Sequence, residues 1–341
     1  MIEVRSVSKR FGKKARAVEV LHDIDFSVGT GEIAAVIGQS GAGKTTLSRI
    51  ISLLERPSEG QILLDGTDVS GLTERRLREQ RKAIGTIFQA SSLLARRTAA
   101  ENVALPLEFA GVGRAERRER VQDLLARVGL SDKADLYPRQ LSGGQRQRVG
   151  IARSLALAPK VLVSDEATSG LDPNTTKSIL ALLRELRDDL GLTIVLITHE
   201  MDVVRQVADV VTVLDAGRVV ESGPVIDLVR DPQSELGVGL LPDRSHIAAE
   251  DRDVLWHVTY GSDAVPTNWI ELLGKASGRS IGVLSGTVES VGGRPAGRVT
   301  ISVTGEDPSI GSLLSSWGLH GVRVAGASTV SDAGATAGAA A

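Results

Sequence analysis

The segment GQSGAGKT (38–45) carries the most specific chemical pattern in the sequence. It fits G-x-x-x-x-G-K-[ST] between an apolar run and a helix-like pattern, the form of a phosphate-binding loop. Glycines let such a loop turn tightly and aim backbone N–H groups at phosphate oxygens, and the following helix adds its positive end. Lys44 is expected to reach the β- and γ-phosphates of a nucleotide, and the Thr45 hydroxyl to ligate Mg²⁺. The residues predicted to contact the nucleotide here are Gly38, Gln39, Ser40, Gly41, Ala42, Gly43, Lys44, Thr45 and Thr46.

Two acids end the apolar run VLVSDE (161–166). An acid at the end of a buried strand holds the Mg²⁺ shell in phosphate-loop enzymes, and this role is assigned to Asp165. Glu166 is then free to polarise the attacking water as a general base. On their own, two such acids are more often solvated loop residues, so this interpretation depends on the phosphate-binding loop.

The segment LSGGQRQR (141–148) predicts a second anion site. Gly143 and Gly144 open a predicted helix, and Ser142 precedes them as its N-cap. Backbone N–H groups and a hydroxyl at a helix start form a site for anions.

These segments together resemble the nucleotide-binding subunit of the ATP-binding cassette (ABC) transporter family. LSGGQ (141–145) matches the family's signature motif, SGLD (169–172) matches the D-loop, Gln89 matches the Q-loop and His199 in VLITHE matches the switch histidine. Phe11 stands where an aromatic residue, more often tyrosine, stacks on adenine, and Gly170 stands where alanine is more usual. The resemblance covers residues 1–228, with all motifs in order.

The resemblance implies that two copies of the chain bind two ATP molecules in a head-to-tail homodimer. Each ATP would lie between the phosphate-binding loop of one copy and Ser142, Gly143, Gly144 and Gln145 of the other, and Asp172 of the D-loop is also predicted to bind the nucleotide. Binding would close the dimer and hydrolysis would open it. His199 would contact the γ-phosphate. Gln89 would reach Mg²⁺ and the attacking water, and would link the nucleotide to a membrane-spanning partner.

The elements that position these residues predict an α/β fold for the first part of the chain. The runs GEIAAVIG (31–38), KVLVSDE (160–166) and LTIVLITHE (192–200) indicate buried parallel strands, and residues 175–191 indicate a crossover helix. Residues 71–160 are helix-rich. We therefore predict an ABC ATPase domain of the P-loop NTPase class, with a helical subdomain, over 1–228 and a connector over 229–252.

Residues 253–328 predict a small α+β domain in the order βαββαβ, the ferredoxin-like motif. The expected strands cover 254–260, 279–291, 297–305 and 321–327, with helices near 266–276 and 308–317. The low-complexity end, 329–341, is expected to be disordered.

This second domain and several phrases of the first resemble the methionine-importer subfamily. The phrases include SLLERPSEG (52–60) and NVALPLE (102–108). The resemblance implies methionine import with a permease and an external solute-binding protein, and methionine binding to the C-terminal domain with feedback inhibition. Two alternatives for that domain stay open: it binds another small amino acid or peptide, or it only supports dimerisation.

Composition excludes several other classes of protein. The 341 residues carry a net charge of −2, which provides no basic field for nucleic acid, and contain no cysteine for disulfides or thiolate metal sites. No apolar run reaches the ~18–20 residues of a spanning helix. Any attachment to a membrane is therefore expected to be peripheral, through a partner that spans it. The family resemblance implies that this partner is the permease and that the chain lies at the cytoplasmic face of the cell membrane.

Two other ABC classes are alternatives. Soluble ABC-type ATPases acting on DNA or ribosomes usually have two cassettes, coiled-coil insertions or zinc-binding cysteines, none of which occurs here. Membrane ATPases for cell division or lipoprotein release typically lack a C-terminal regulatory domain.

Overall fold

The computed structural model describes residues 2–12, 17–88, 92–166, 168–241 and 253–324. Its tertiary contacts divide the chain into two compact units, Met1–Val225 and Ile226–Ala341. The domain limits at 228 and 252 stay a prediction. Residues 242–252 of the predicted connector and the predicted tail (329–341) lie outside the described residues. None of the described helices is long and apolar enough to cross a membrane.

The first unit contains two sheets among its described residues. One has the order β2-β1-β4-β5 with antiparallel pairing, and the other has the order β10-β9-β3-β8-β7-β6. In the second sheet β9, β3, β8, β7 and β6 pair in parallel and β10 pairs antiparallel with β9. The strands are β1 (Ile2–Phe11), β2 (Val18–Val28), β3 (Ile33–Ile37), β4 (Glu59–Leu64), β5 (Thr67–Asp68), β6 (Ile84–Ile87), β7 (Val161–Asp165), β8 (Thr193–Ile197), β9 (Val210–Asp215) and β10 (Arg218–Pro224).

Helices cover the parallel sheet because its strands are apolar on both faces. Ile33 and Leu162 pack in a core with the long helices, whereas Ala34 and Val163 pack in a second core with β1, β2 and the helix after β3. The helices of this unit are α1 (Lys44–Ile51), α2 (Glu74–Arg81), α3 (Ala99–Phe109), α4 (Arg114–Arg127), α5 (Gly143–Ser154), α6 (Pro173–Leu190) and α7 (Met201–Val207). Short 3₁₀ turns occupy Ser131–Lys133 and Pro138–Gln140. The predicted α/β fold with a helical subdomain is confirmed.

Local sequence explains where the main crossover helix begins and ends. The Asp172 side chain accepts hydrogen bonds from the backbone N–H groups of Asn174 and Thr175, and Pro173 occupies the first turn. Gly191, with a φ of 64°, ends α6 in the left-handed conformation. Aspartate and proline commonly start helices and glycine commonly ends them, so these residues determine the two ends of α6 between β7 and β8.

The second unit is a single antiparallel sheet with helices on one face. Its elements are α8 (Val225–Arg230), which begins at the boundary between the units, α9 (Glu235–Leu240), β11 (Asp253–Tyr260), α10 (Trp269–Ser277), β12 (Ile281–Val291), β13 (Arg294–Thr304), α11 (Ile310–Ser316) and β14 (Leu319–Arg323). The sheet order β12-β13-β11-β14 is that of a ferredoxin-like fold, which confirms the predicted βαββαβ order. The last strand begins two residues before the predicted 321, and residues 325–327 of that prediction lie outside the described residues.

Candidate functional site

The phosphate-binding loop joins the end of β3 to the start of α1. Its backbone accepts only glycine at two positions. A Cβ on Gly38, whose φ is 156°, would lie 2.2 Å from the carbonyl oxygen of Leu214, and a Cβ on Gly43, whose φ is 101°, would lie 2.6 Å from Leu21 Cδ2. Left-handed glycines and these close approaches let the loop wrap around the start of α1, where free N–H groups favour an anion.

Lys44 directs its ammonium group into this loop. Its Nζ donates hydrogen bonds to the carbonyl oxygens of Gly38 (2.7 Å) and Gln39 (2.9 Å), and the residue is 9% exposed. A buried positive charge at the start of a helix raises the local attraction for phosphate oxygens.

A cavity of about 670 Å³ opens above the loop. The cavity brings together segments that are far apart in sequence. Asp165 and Glu166 at the end of β7 and His199 after β8 line it together with the loop. Its lining residues are Val20, Gln39, Ser40, Gly41, Gly43, Lys44, Thr45, Thr46, Asp165, Glu166, Ile197 and His199. Gly38 and Ala42, which were also predicted to contact ATP, belong to the loop but not to this lining.

Asp165 is the acid at the end of β7. Burial raises the pKa of its carboxyl group above the ordinary value, and the adjacent charge of Glu166 raises it further. A hydrogen bond with the Ser48 side chain and the positive charge of Lys44 act in the opposite direction. Sequence reasoning missed Ser48, although its position four residues after Lys44 puts both on one face of α1.

The residues here fit a hydrated Mg²⁺ ion held together with substrate phosphates. Mg²⁺ commonly uses one or two carboxylates plus phosphate oxygens and waters, and Asp165 and the Thr45 hydroxyl line the same cavity. Among the described residues no cluster of three or more histidines, cysteines or acids could hold a metal without such phosphates.

We expect Asp165→Asn to stabilise the nucleotide-free protein near neutral pH. The folded state raises this pKa, so the ionised carboxylate costs stability above the folded-state pKa. As the pH falls from the folded-state pKa towards the ordinary aspartate pKa of about 4, the folded protein takes up the proton and this cost disappears. Denaturant unfolding of wild type and variant at pH 7.5 and at about pH 4 measures this difference. Asp135→Asn, outside the cavity, is the control, and a variant less stable than wild type at pH 7.5 contradicts the expectation.

Glu166 and His199 meet on one side of the cavity. The Nδ1 atom of His199 lies 3.3 Å from Glu166 Oε1, and the Glu166 backbone N–H donates to the carbonyl oxygen of Ile197. Glu166 has a φ of 50°, a left-handed conformation that non-glycine residues adopt at a cost, often at functional sites. Parallel pairing of β7 with β8 places these two strand ends at the same edge. A water between the pair and the loop could lose a proton to Glu166.

The predicted second anion site lies at the start of α5, away from this cavity. The Ser142 side chain accepts a hydrogen bond from the Gln145 backbone N–H, and the Gln145 side chain accepts one from the Ser142 backbone N–H. Gly144 packs beside Thr175, at the start of the helix that Asp172 caps. None of these predicted residues, which are Ser142, Gly143, Gly144, Gln145 and Asp172, is part of the cavity lining.

Phe11, which was predicted to stack on adenine, is not in the cavity lining. Phe11 ends β1 with 42% of its surface exposed, and the Lys9 ammonium lies 4.8 Å from the centre of its ring. Gln89 lies outside the described residues. Val20 and Ile197 line the cavity and were not predicted, because an apolar residue in a strand carries no sequence signal that separates a cavity wall from a core.

Comparison with known proteins agrees with this geometry. The family model described as ABC transporter matches residues 21–169. The chain is 92% identical over 324 residues to the methionine import ATP-binding protein MetN 1 of Rhodococcus jostii (strain RHA1), covering 95% of this chain and 96% of the relative. It is 49% identical over 306 residues to MetN of Thermobifida fusca (strain YX), covering 90% and 94%.

Solved structures show the same fold for the first unit. A dimeric structure of MJ0796, described as a bacterial ABC transporter cassette, aligns with a TM-score of 0.61 and 34% identity over 66% of this chain and 98% of its own. A second structure of that cassette, a dimer bound to ADP and Pi, aligns with a TM-score of 0.60 over the same shares. The chain therefore belongs to the ABC transporter family and is one of its ATP-binding proteins.

Proposed function

We propose that the chain hydrolyses ATP in the phosphate-loop cavity and thereby powers import of methionine through a membrane permease. The observation that carries the proposal is the meeting of Lys44, Asp165, Glu166 and His199 around one cavity. These residues supply a phosphate-binding cation, a metal-binding carboxylate, a base and a histidine partner for that base. Phosphoryl transfer needs this set and little covalent chemistry from the protein.

Each residue has a distinct proposed role. Lys44 and the loop N–H groups hold the phosphates, and Asp165 with the Thr45 hydroxyl would hold Mg²⁺. When bound, Mg²⁺ would neutralise charge on the phosphate oxygens. Glu166 accepts a proton from the attacking water, and His199, within 3.3 Å of it, orients the carboxylate and contacts the γ-phosphate. Gln89 completes this set as a contact to the metal and the water, and Phe11 stacks on adenine.

The chain is proposed to work as a head-to-tail homodimer. Ser142, Gly143, Gly144 and Gln145 form a partly exposed helix start that lies outside the cavity of their own chain. A second copy could bring this helix start to the phosphates, with Asp172 beside it. The solved MJ0796 cassettes are dimers, which supports this arrangement.

The partners of the dimer are proposed to be membrane-spanning permease subunits and, through them, an external solute-binding protein. This arrangement places the chain on the cytoplasmic face of the cell membrane. The C-terminal ferredoxin-like domain, over 253–328, is proposed to bind methionine and to inhibit ATP hydrolysis when methionine is plentiful. The relatives' printed name, methionine import ATP-binding protein, supports methionine as the imported solute.

Uptake of methionine by cells tests this function. Cells that lack the chain are expected to lose most high-affinity uptake of labelled methionine, and the wild-type chain to restore it. Glu166→Gln is expected not to restore it, because the proposed base is removed. Leucine uptake in the same cells is the control. Restoration of methionine uptake by the Glu166→Gln chain, or unchanged uptake without the chain, would refute the proposal.

A further inference from the structure

A lysine of β1 lies over the ring of Phe11. The Lys9 ammonium group is 4.8 Å from the centre of that ring, within the roughly 6 Å at which a cation is attracted to an aromatic face. Lys9 is 8% exposed, whereas Phe11 is 42% exposed. The lysine therefore covers one face of the ring, and the exposed surface of Phe11 is available to a ligand.

Two further contacts hold the Lys9 side chain in this place. Its ammonium group donates to Glu55 Oε1 and to the backbone carbonyl oxygen of Arg56, each at 2.7 Å. An ammonium group has three N–H donors, so these two oxygens use most of them. Hydrogen bonds between charged groups at this distance are among the strong ones, and they fix the position of the cation over the ring.

Lys9 and Phe11 lie on the same face of β1, because this strand keeps its alternation. Lys9 pairs with Leu21 of β2. Phe11 pairs with Val18, so three residues of β1 lie opposite four residues of β2. The extra residue, Val20, belongs to β2 and forms a bulge there. Successive side chains of β1 therefore still alternate, which places Lys9 and Phe11 on one face.

This face of the two strands leads to the phosphate-binding loop. A Cβ on Gly43 would lie 2.6 Å from Leu21 Cδ2, so the strand partner of Lys9 packs against the loop. Val20, the bulged residue, lines the cavity above the loop. Bulges next to active sites commonly redirect a side chain in this way. A nucleotide with its phosphates in the loop can therefore extend its base along these strands towards Phe11.

A cation on one face of an aromatic ring changes what the other face binds. The π electrons of the ring are attracted towards the ammonium group, so the opposite face becomes less negative. An electron-rich base such as adenine stacks better on such a face. The cation also fixes the orientation of the ring before the base arrives, which lowers the entropy cost of binding.

We propose that Lys9 is a positioning residue for the base of the nucleotide. It holds and polarises the Phe11 ring, so that the free face of the ring stacks on adenine, and Glu55 in turn holds Lys9. The inference rests on the proposed function, in which Phe11 stacks on adenine, and adds to it the residue that prepares the ring for this contact.

Calorimetric titration of the full-length chain with three probes tests this role. A non-hydrolysable ATP analogue contains base and phosphates, adenosine contains the base without phosphates, and tripolyphosphate contains phosphates without a base. Lys9→Met removes the charge and keeps an apolar chain. We expect this variant to bind the ATP analogue and adenosine roughly 3- to 10-fold more weakly, within the range of a cation–π contact, and to bind tripolyphosphate as wild type does.

Two further variants separate the ring contact from a general effect. Lys9→Arg keeps a cation that can lie over the ring, and is expected to bind all three probes within about twofold of wild type. Lys160→Met is the matched control. Lys160 also pairs with a carboxylate, that of Asp65 at 2.8 Å, but lies outside the cavity lining, so no probe is expected to bind differently.

A double-mutant cycle determines whether Lys9 acts through Phe11. Phe11→Ala is expected to weaken the ATP analogue roughly 5- to 150-fold, the effect of losing one base-stacking contact. Adding Lys9→Met to this variant is expected to cause no further loss, because the ring on which the lysine acts is gone. Losses that multiply in the double variant would overturn the proposed role.

Unchanged adenosine affinity in Lys9→Met, or an equal loss of tripolyphosphate affinity, also overturns the inference. If Phe11→Ala weakens adenosine binding and Lys9→Met does not, the role of Lys9 fails and adenine stacking stands. If neither variant affects adenosine, adenine stacking by Phe11 fails as well. ATP hydrolysis in the loop cavity and methionine import are measured separately, so neither depends on these outcomes.

Discussion

Glu166→Gln is expected to lower ATP hydrolysis by roughly 100- to 10,000-fold, the range that a positioned general base contributes. Glutamine has nearly the same size but cannot accept the proton of the attacking water. ATP binding is expected to persist, because Lys44 and the loop that hold the phosphates are unchanged. The variant should therefore accumulate as an ATP-bound dimer, since hydrolysis is proposed to open it.

Steady-state phosphate release and size-exclusion chromatography with ATP measure these two effects. Glu185→Gln on the exposed side of α6 is the control, since this acid lies far along the helix from the cavity lining. Turnover in Glu166→Gln within about threefold of wild type would exclude Glu166 as the base.

Lys44→Ala is expected to weaken ATP binding by roughly 30- to several-thousand-fold, corresponding to the ~2–5 kcal/mol lost when one partner of a buried charge pair is truncated. Lys44 is 9% exposed and its ammonium group lies against the carbonyl oxygens of Gly38 and Gln39, so water cannot replace this group fully. Adenosine, which has no phosphate, is expected to bind wild type and variant alike.

Titration with a fluorescent ATP analogue, and separately with adenosine, measures this difference. Lys177→Ala removes an exposed lysine of α6 and serves as the control. An equal loss of adenosine affinity would indicate a distorted loop instead of a lost phosphate contact, and unchanged ATP affinity would contradict the assignment of Lys44.

Much of the fold could be predicted from local patterns. The apolar runs of β3, β7 and β8 are buried on both faces, so their unbroken hydrophobicity predicts parallel strands correctly. The βαββαβ order of the second unit followed from alternating strands and two short helical segments. Its last strand was placed two residues late, because the edge strand β14 is short and has exposed residues at three of its five positions.

Only some residues of the candidate site could be predicted from the sequence. Glycine and lysine at fixed spacing identify the phosphate-binding loop, since the backbone geometry that holds a phosphate allows few other residues. Ser48, Val20 and Ile197 were missed, because a serine in a helix and apolar residues in strands have the same local pattern in a core as in a cavity wall.

The sequence by itself determined the family, the loop that binds phosphate, and the order of strands and helices, because these depend on short-range spacing and on the backbone conformations that each residue type allows. Tertiary structure alone decided which of those residues meet. It brought Glu166 within 3.3 Å of His199 across 33 positions, and put Asp165 beside Ser48. Such contacts follow from the pairing of parallel strands and the packing of distant segments, which no local pattern specifies.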